Sequence, residues 1–379
     1  MSQTNHTSRD FNSSIKLFLC GDVMTGRGID QILPYSVNPQ LFERYVQDAR
    51  SYVKIAEEAN GPIPYPVSFS YIWGDALSEL DKMAPDLRII NLETSITTSA
   101  KYWPRKGINY RMHPKNIPCL TSAKINCCVL ANNHVMDWGY QGLSETITTL
   151  HKADIKTAGA GQNLSHAASP AILNIPGKGR VLVFSYAMKS SGVPWDWEAQ
   201  VHKPGINLLA NLTDNTIVQI AQSISRFRNK GDIVLASIHW GGNWGYDIPD
   251  EHIQFAHQLI DSAGIDIIHG HSSHHPLGIE IYKNKPIIYG CGDFLNDYEG
   301  IDGHKAYRGD LALMYFVSMD TGSGKLKEFE MVPTQIKQFK SNRASEADTE
   351  WLQTLLNREN RKFNNHIEQN NSNNLLLHW

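Results

Sequence analysis

Carboxylates, carboxamides and imidazoles recur in this 379-residue chain at one kind of place, directly after an apolar run. Leu17-Phe18-Leu19-Cys20 leads into Gly21-Asp22, Ile89-Ile90 into Asn91-Leu92-Glu93, and Val129-Leu130-Ala131 into Asn132-Asn133-His134. Ala236-Ser237-Ile238 precedes His239, and Ile267-Ile268 precedes His269-Gly270-His271-Ser272-Ser273-His274-His275. Mixed oxygen and imidazole donors suit zinc, manganese or iron, and a set this large suits a pair of ions. The window 269–275 holds four of the sixteen histidines, where an even spread would place fewer than one. One or two of the four could instead bond loop backbone, but the cluster reads as metal-binding. Asp22, entered through a glycine, reads as a ligand rather than a turn residue. Glu93 reads as a ligand rather than a cap for the turn-prone Thr94, Ser95 and Thr97. Within 132–139 an amide oxygen can bind metal while His134 donates a proton or stabilises negative charge. A polar turn capped by Asp137 before a helix near Gly142 is compatible with that role.

Distant residues of this kind meet only if strands deliver them to a common edge, which is where open α/β sheets carry their sites. Buried strands are expected at 15–20, 87–92, 125–130, 181–186, 233–238, 265–268 and 286–289, each a short β-rich run. Helical spacing of apolar residues appears over 40–59, 74–83 and 251–263. The alternation predicts an α/β layered fold. Leu311 to Val317 and Leu326 to Val332 have no helix between them and predict an antiparallel extension of the sheet. Residues 60–66 and 99–118 read as long surface loops able to shape a site, with Tyr110 and Arg111 in reach of a substrate. Trp195 and Trp197 read as loop anchors, while Trp240 and Trp244, near His239, stay open between packing and pocket wall.

A flexible segment is expected over 1–14, one domain over 15–340, and a helix followed by a loose polar tail over 341–379, where asparagines abound. Lys plus Arg at 35 against Asp plus Glu at 38 removes the electrostatic footprint of a general nucleic-acid binder. The longest apolar run is Leu311 to Val317, far short of a bilayer span, and residues 1–14 hold no signal-like apolar stretch. A cytoplasmic protein with no membrane span is therefore expected. Five cysteines without a C-x-x-C read as reduced, mostly buried thiols.

On Gly21-Asp22-Val23-Met24-Thr25-Gly26-Arg27, Asn91-Leu92-Glu93, Ala131-Asn132-Asn133-His134 with Asp137 and Gly139, and His239-Trp240-Gly241, the chain resembles the CapA family of capsule and poly-γ-glutamate synthesis proteins. The likeness continues through Gly270-His271-Ser272-Ser273-His274, Gly278-Ile279-Glu280 and Tyr289-Gly290-Cys291-Gly292-Asp293-Phe294, in the family's order. The resemblance implies a four-layer αββα sandwich of the calcineurin-like metallophosphoesterase type. It also implies two divalent transition-metal ions (Mn, Fe or Zn) on Asp22, Glu93, Asn133, His239, His271 and His274, with His134 facing substrate. The chain departs from the family's G-x-H-P-H pattern at Ser272, which leaves His269 and His275 as reserve ligands. It lacks the acidic residue that follows H-W-G, has Asp293 where Asn is usual, and shows no N-terminal membrane anchor.

These residues predict a dinuclear metal-dependent hydrolase working through a metal-bridging hydroxide, with Asp22 and His134 in the reaction; a phosphoester is one substrate class, and the resemblance equally implies a γ-glutamyl-type amide. Arg27, Asp293 and Asn132 are expected at an anionic small-molecule or polymeric substrate. For Arg27 a purely structural contact is an equal alternative. The competing class is a non-catalytic, metal-containing accessory protein that binds a polyanionic polymer or a synthase partner in poly-γ-glutamate or capsule assembly.

Overall fold

The computed structural model describes residues 14–301 and 303–379. Apart from Ser14, which opens the first strand, the segment expected over 1–14 lies outside the described residues.

Two large sheets carry the chain. In the first, strands His366–Gln369, Leu375–His378, Leu326–Lys337, Leu311–Asp320, Ser14–Val23, Leu87–Leu92, Cys127–Val129 and Lys156–Ala158 are neighbours in that order. In the second the order is Leu208–Leu209, Gly179–Met188, Ile233–His239, Ile267–His271, Lys285–Ile288 and Ile279–Tyr282. The central strands of each sheet run parallel, so their carboxyl ends share an edge. The expected antiparallel extension is present as the hairpin of Leu311–Asp320 and Leu326–Lys337, laid against Ser14–Val23.

Alternation along single strands explains the layering, since successive side chains leave opposite faces. Leu17 and Leu19 point into the same apolar cluster as Val181, Val183, Ile233 and Leu235, so the two sheets pack face to face. Phe18, Ile90, Leu92 and Leu130 point the other way, onto Tyr52, Ala56, Leu80 and Leu143 of helices Arg50–Asn60, Ala76–Met83 and Gly139–Lys152. Leu182, Phe184 and Val234 point outward onto Ile220 and Ile224 of helix Asp214–Ser225 and Phe255 and Leu259 of helix Asp250–Ser262. The result is an αββα sandwich whose central strands are buried on both faces, which is why they read as continuous apolar runs.

Two expectations about elements need correction. The helix predicted from residue 40 begins only at Arg50. Tyr45, counted toward its apolar stripe, is 87% exposed, and residues 40–49 instead close a loop through Leu41 N–H to Gln47 O (2.9 Å) and Ala49 N–H to Pro39 O (2.8 Å). The loose tail is also absent. After helix Glu346–Asn360, strands His366–Gln369 and Leu375–His378 form a hairpin and join the first sheet. Its asparagines hold backbone and side chains in place: Asn357 Oδ1 accepts Ile367 N–H (2.7 Å) and Asn374 Nδ2 donates to Glu330 (2.7 Å), while Leu375 and Leu377 are buried.

Candidate metal centre

The two sheets touch at their carboxyl edge, where His269 Nε2 on the second sheet lies 2.8 Å from Cys20 O on the first. At that point the chain turns through Gly21. A Cβ there would sit 1.6 Å from Gly292 O, so a glycine is required for the approach that lets Asp22 N–H donate to Gly292 O (3.0 Å). Asp22 thereby pairs in register with both Asn91 and Asp293, and His239 pairs with His271.

Asp22 belongs to two triads of potential ligands, one with His239 and His271 and one with His274 and Asp293, and within each triad the ligand atoms all lie within 4.8 Å of one another. Its Oδ1 accepts from Asn91 Nδ2 at 2.6 Å, while its buried Oδ2 has no hydrogen-bond partner. His239 Nδ1 and His271 Nδ1 face each other at 2.6 Å. Glu93 Oε1 stands 3.8 Å from His239 Nε2 and 4.0 Å from His134 Nε2, and Asn133 Oδ1 is 3.1 Å from His239 Nε2. The six residues expected as ligands therefore converge. Asp293, expected at the substrate, borders the adjoining cavity and also offers an oxygen to the second triad, with its Oδ1 2.9 Å from His274 Nδ1.

The reserve histidines do not join them. Both ring nitrogens of His269 are engaged, by Ser237 Oγ (3.0 Å) and Cys20 O. His275 packs among Trp244, Tyr246 and Tyr307. Two residues expected at the substrate are engaged within the fold. Arg27, though it touches the cavity, is 4% exposed and spends its guanidinium on Asp297, Glu43 and Tyr52, so it is held within the fold rather than free to clamp an anion. Asn132, fully buried, donates to Asn91 Oδ1 and Leu92 O (both 2.9 Å) and accepts from the N–H groups of His134 and Val135. Every polar atom of its amide thus shapes the loop that presents Asn133 and His134.

His134 is set by neighbours that the motif only partly announced. Its Nδ1 lies 2.7 Å from Asp137 Oδ2, so Asp137 orients the imidazole instead of capping the helix. Asp137 also accepts Tyr110 N–H (2.6 Å) and pairs with Lys106 (2.7 Å). The Tyr110 ring stacks on the imidazole at 3.9 Å. Asp137 was visible three residues after His134. The loop 99–118 reads as able to shape a site, but nothing in the sequence singles out Lys106 within it.

Burial pulls the His134 pKa down to about 4, outweighing the nearby Asp137 carboxylate. Burial likewise holds His239 and His271 well below the usual imidazole range, reinforced by the other imidazoles. Burial, and next the Asp293 carboxylate, push Asp22 up to about 7. Glu93 is raised well above the usual range by burial and then by Asp22 and Asp293. At His274 burial pulls downward, but Asp293 more than offsets it and the net shift is upward. Imidazoles held neutral at His239 and His271, crowded carboxylates whose mutual repulsion a cation would relieve, and the orphaned Asp22 Oδ2 together fit divalent ions. Beside this cluster opens a cavity of about 1040 Å³, bordered by Tyr110, Trp244, His274, Asp293 and Tyr298.

Residues 16–298 match the family model described as bacterial capsule synthesis protein PGA_cap. A Mycobacterium tuberculosis protein named as a probable polyglutamine synthesis accessory protein is 47% identical over 350 residues, covering 92% of each chain. The capsule biosynthesis protein CapA of Bacillus anthracis is 25% identical, covering 86% of this chain and 69% of its own. A solved structure described as a novel phosphatase of Mycoplasma pneumoniae has a TM-score of 0.47 and 14% identity, covering 87% of this chain and 95% of that one.

Proposed function

Because the chain belongs to the bacterial capsule synthesis protein PGA_cap family, we propose that it is a hydrolase of a phosphoester or a γ-glutamyl-type amide, working with two divalent transition-metal ions. The observation that carries this reading is the single buried carboxylate, Asp22, common to two ligand triads, one of which reaches the cavity through His274 and Asp293. Asp22, His239 and His271, with Asn133 and Glu93 beside them, would hold one ion, and Asp22, His274 and Asp293 the other. When bound, such a pair supplies a water of lowered pKa and a polarised electrophile.

The remaining work falls to the chain's own residues. Burial keeps His134 neutral, and in the tautomer that donates Nδ1–H to Asp137 its Nε2 is open to take up a proton during attack and return it to the departing oxygen or nitrogen. Tyr110, stacked over the ring, shields it from water on that face. Metal analysis of protein prepared without chelator, with assays on a phosphomonoester, a phosphodiester and a γ-linked glutamyl peptide, tests the proposal. Asp22→Ala and His239→Ala are each expected to abolish turnover. A chain that binds no metal, or two variants that keep wild-type rates, would overturn it. The second reading, an accessory protein without turnover, takes its support from the mycobacterial relative's name, and a metal-loaded chain inactive on all three substrates would favour it.

A further inference from the structure

A second group of metal-capable side chains lies on the opposite kind of surface, exposed on the hairpin His366–Gln369 and Leu375–His378. His366 and His378 are cross-strand partners, and Glu368 follows His366 by two residues on the same face. Their side chains are 62%, 44% and 64% exposed respectively. His366 Nε2 is 3.3 Å from Glu368 Oε1, His378 Nε2 is 3.5 Å from Glu368 Oε2, and the two rings stack with centroids 4.9 Å apart. The three ligand atoms lie within 4.8 Å of one another. His378 Nε2 is screened from solvent yet has no hydrogen-bond partner.

The backbone beneath these groups is fixed. Ile367 and Leu377, opposite each other on the other face, are buried at 1% and 3%. Gln353 and Asn357 of helix Glu346–Asn360 both donate to Ile367 O, and Asn357 Oδ1 accepts Ile367 N–H. A two-histidine, one-carboxylate set on a rigid hairpin presents donors of the right type to one borderline divalent ion, with water free to complete the shell. We propose that this hairpin is a surface site for a single Zn²⁺ or Ni²⁺ ion, independent of the buried centre, that ties the edge strand His366–Gln369 to Leu375–His378.

Equilibrium dialysis of the full chain against Zn²⁺, followed by elemental analysis, tests the site through a difference. Whatever the buried centre holds, His366→Ala and His378→Ala are expected to bind one ion fewer per chain than wild type, and Glu368→Gln to weaken that ion at least tenfold. Untagged wild type is also expected to be retained on immobilised Ni²⁺ at low imidazole, where the two histidine variants elute. Equal stoichiometry in wild type and His366→Ala, or identical elution of all variants, overturns the proposal. Because these side chains are exposed and remote from Asp22, the variants keep hydrolytic activity if the buried centre is catalytic, so a failure here is separable from a failure there.

Discussion

Asp137 decides which nitrogen of His134 is open. Replacing it by Asn keeps the shape but removes the charge that accepts Nδ1–H and pairs with Lys106. Turnover of Asp137→Asn is expected to fall by about 10²-fold, within the range set by general acid–base groups, while metal content stays at the wild-type level; loss of metal as well would make Asp137 structural. His252 allows a separate test away from the ligands. It is buried and stacks on Trp240 at 4.5 Å, and burial takes its pKa down to about 4 from 6.5. The fold thus demands its neutral form, so the stability it lends is complete above pH 6.5 and is lost as the pH falls toward 4. Relative to wild type, His252→Phe is expected to gain about 1–2 kcal/mol in urea unfolding between pH 7.5 and pH 5; parallel pH profiles would show that His252 titrates as in the unfolded chain. Residue types alone located Asp22, His239 and the histidine cluster, because ligand chemistry is written in the side chain. They could not choose between the two readings of Arg27 or foresee the bonds of Asn132, because Asp297, Glu43 and Asn91 are partners brought up only by folding.

Elements were legible where burial was complete. Ile233–His239 and Leu87–Leu92 are covered on both faces, so their apolar runs admit few other readings. The helix start at Arg50 was not legible, since Tyr45 mimics an apolar stripe while facing solvent. Nor was the hairpin 366–378, whose asparagines read as a loose tail but bond to strand backbone and Glu330. Also invisible was the crossing of Gly21 against Gly292, which joins strand Ser14–Val23 to Asp293–Leu295. An added methyl at Gly21 meets a carbonyl oxygen, not a flexible side chain, so the strands must part. Gly21→Ala is expected to cost about 1–3 kcal/mol and, by displacing Asp22, to release bound metal. Unchanged urea midpoint and metal content would show that the two strands separate there without consequence.

Across the whole molecule, the ligand set spans the interface between the sheets, with Asp22, Glu93 and Asn133 from one side and His239 and His271 from the other. Ions held there would cross-brace the sandwich, so chelation is expected to lower its melting temperature. Without ions, Asp22 carries the clearest pH signature. Its carboxyl, raised from 3.8 to about 7 by burial and by Asp293, favours the protonated state in the fold, so its contribution is complete below about pH 4 and disappears as the pH climbs through 7. Asn at this position is uncharged at every pH. In the presence of chelator, Asp22→Asn is expected to gain on wild type by roughly 2–4 kcal/mol between pH 5 and pH 8. The histidines titrate in both proteins, while Glu93, relieved of the Asp22 charge in the variant, adds to the same gain. With metal restored the order is expected to reverse, because only wild type has the carboxylate common to both triads. Urea unfolding at the two pH values, with and without Mn²⁺, reads all four states. A variant that parallels wild type in chelator and still gains stability from Mn²⁺ would mean that Asp22 neither competes with Asp293 for charge nor bridges the triads.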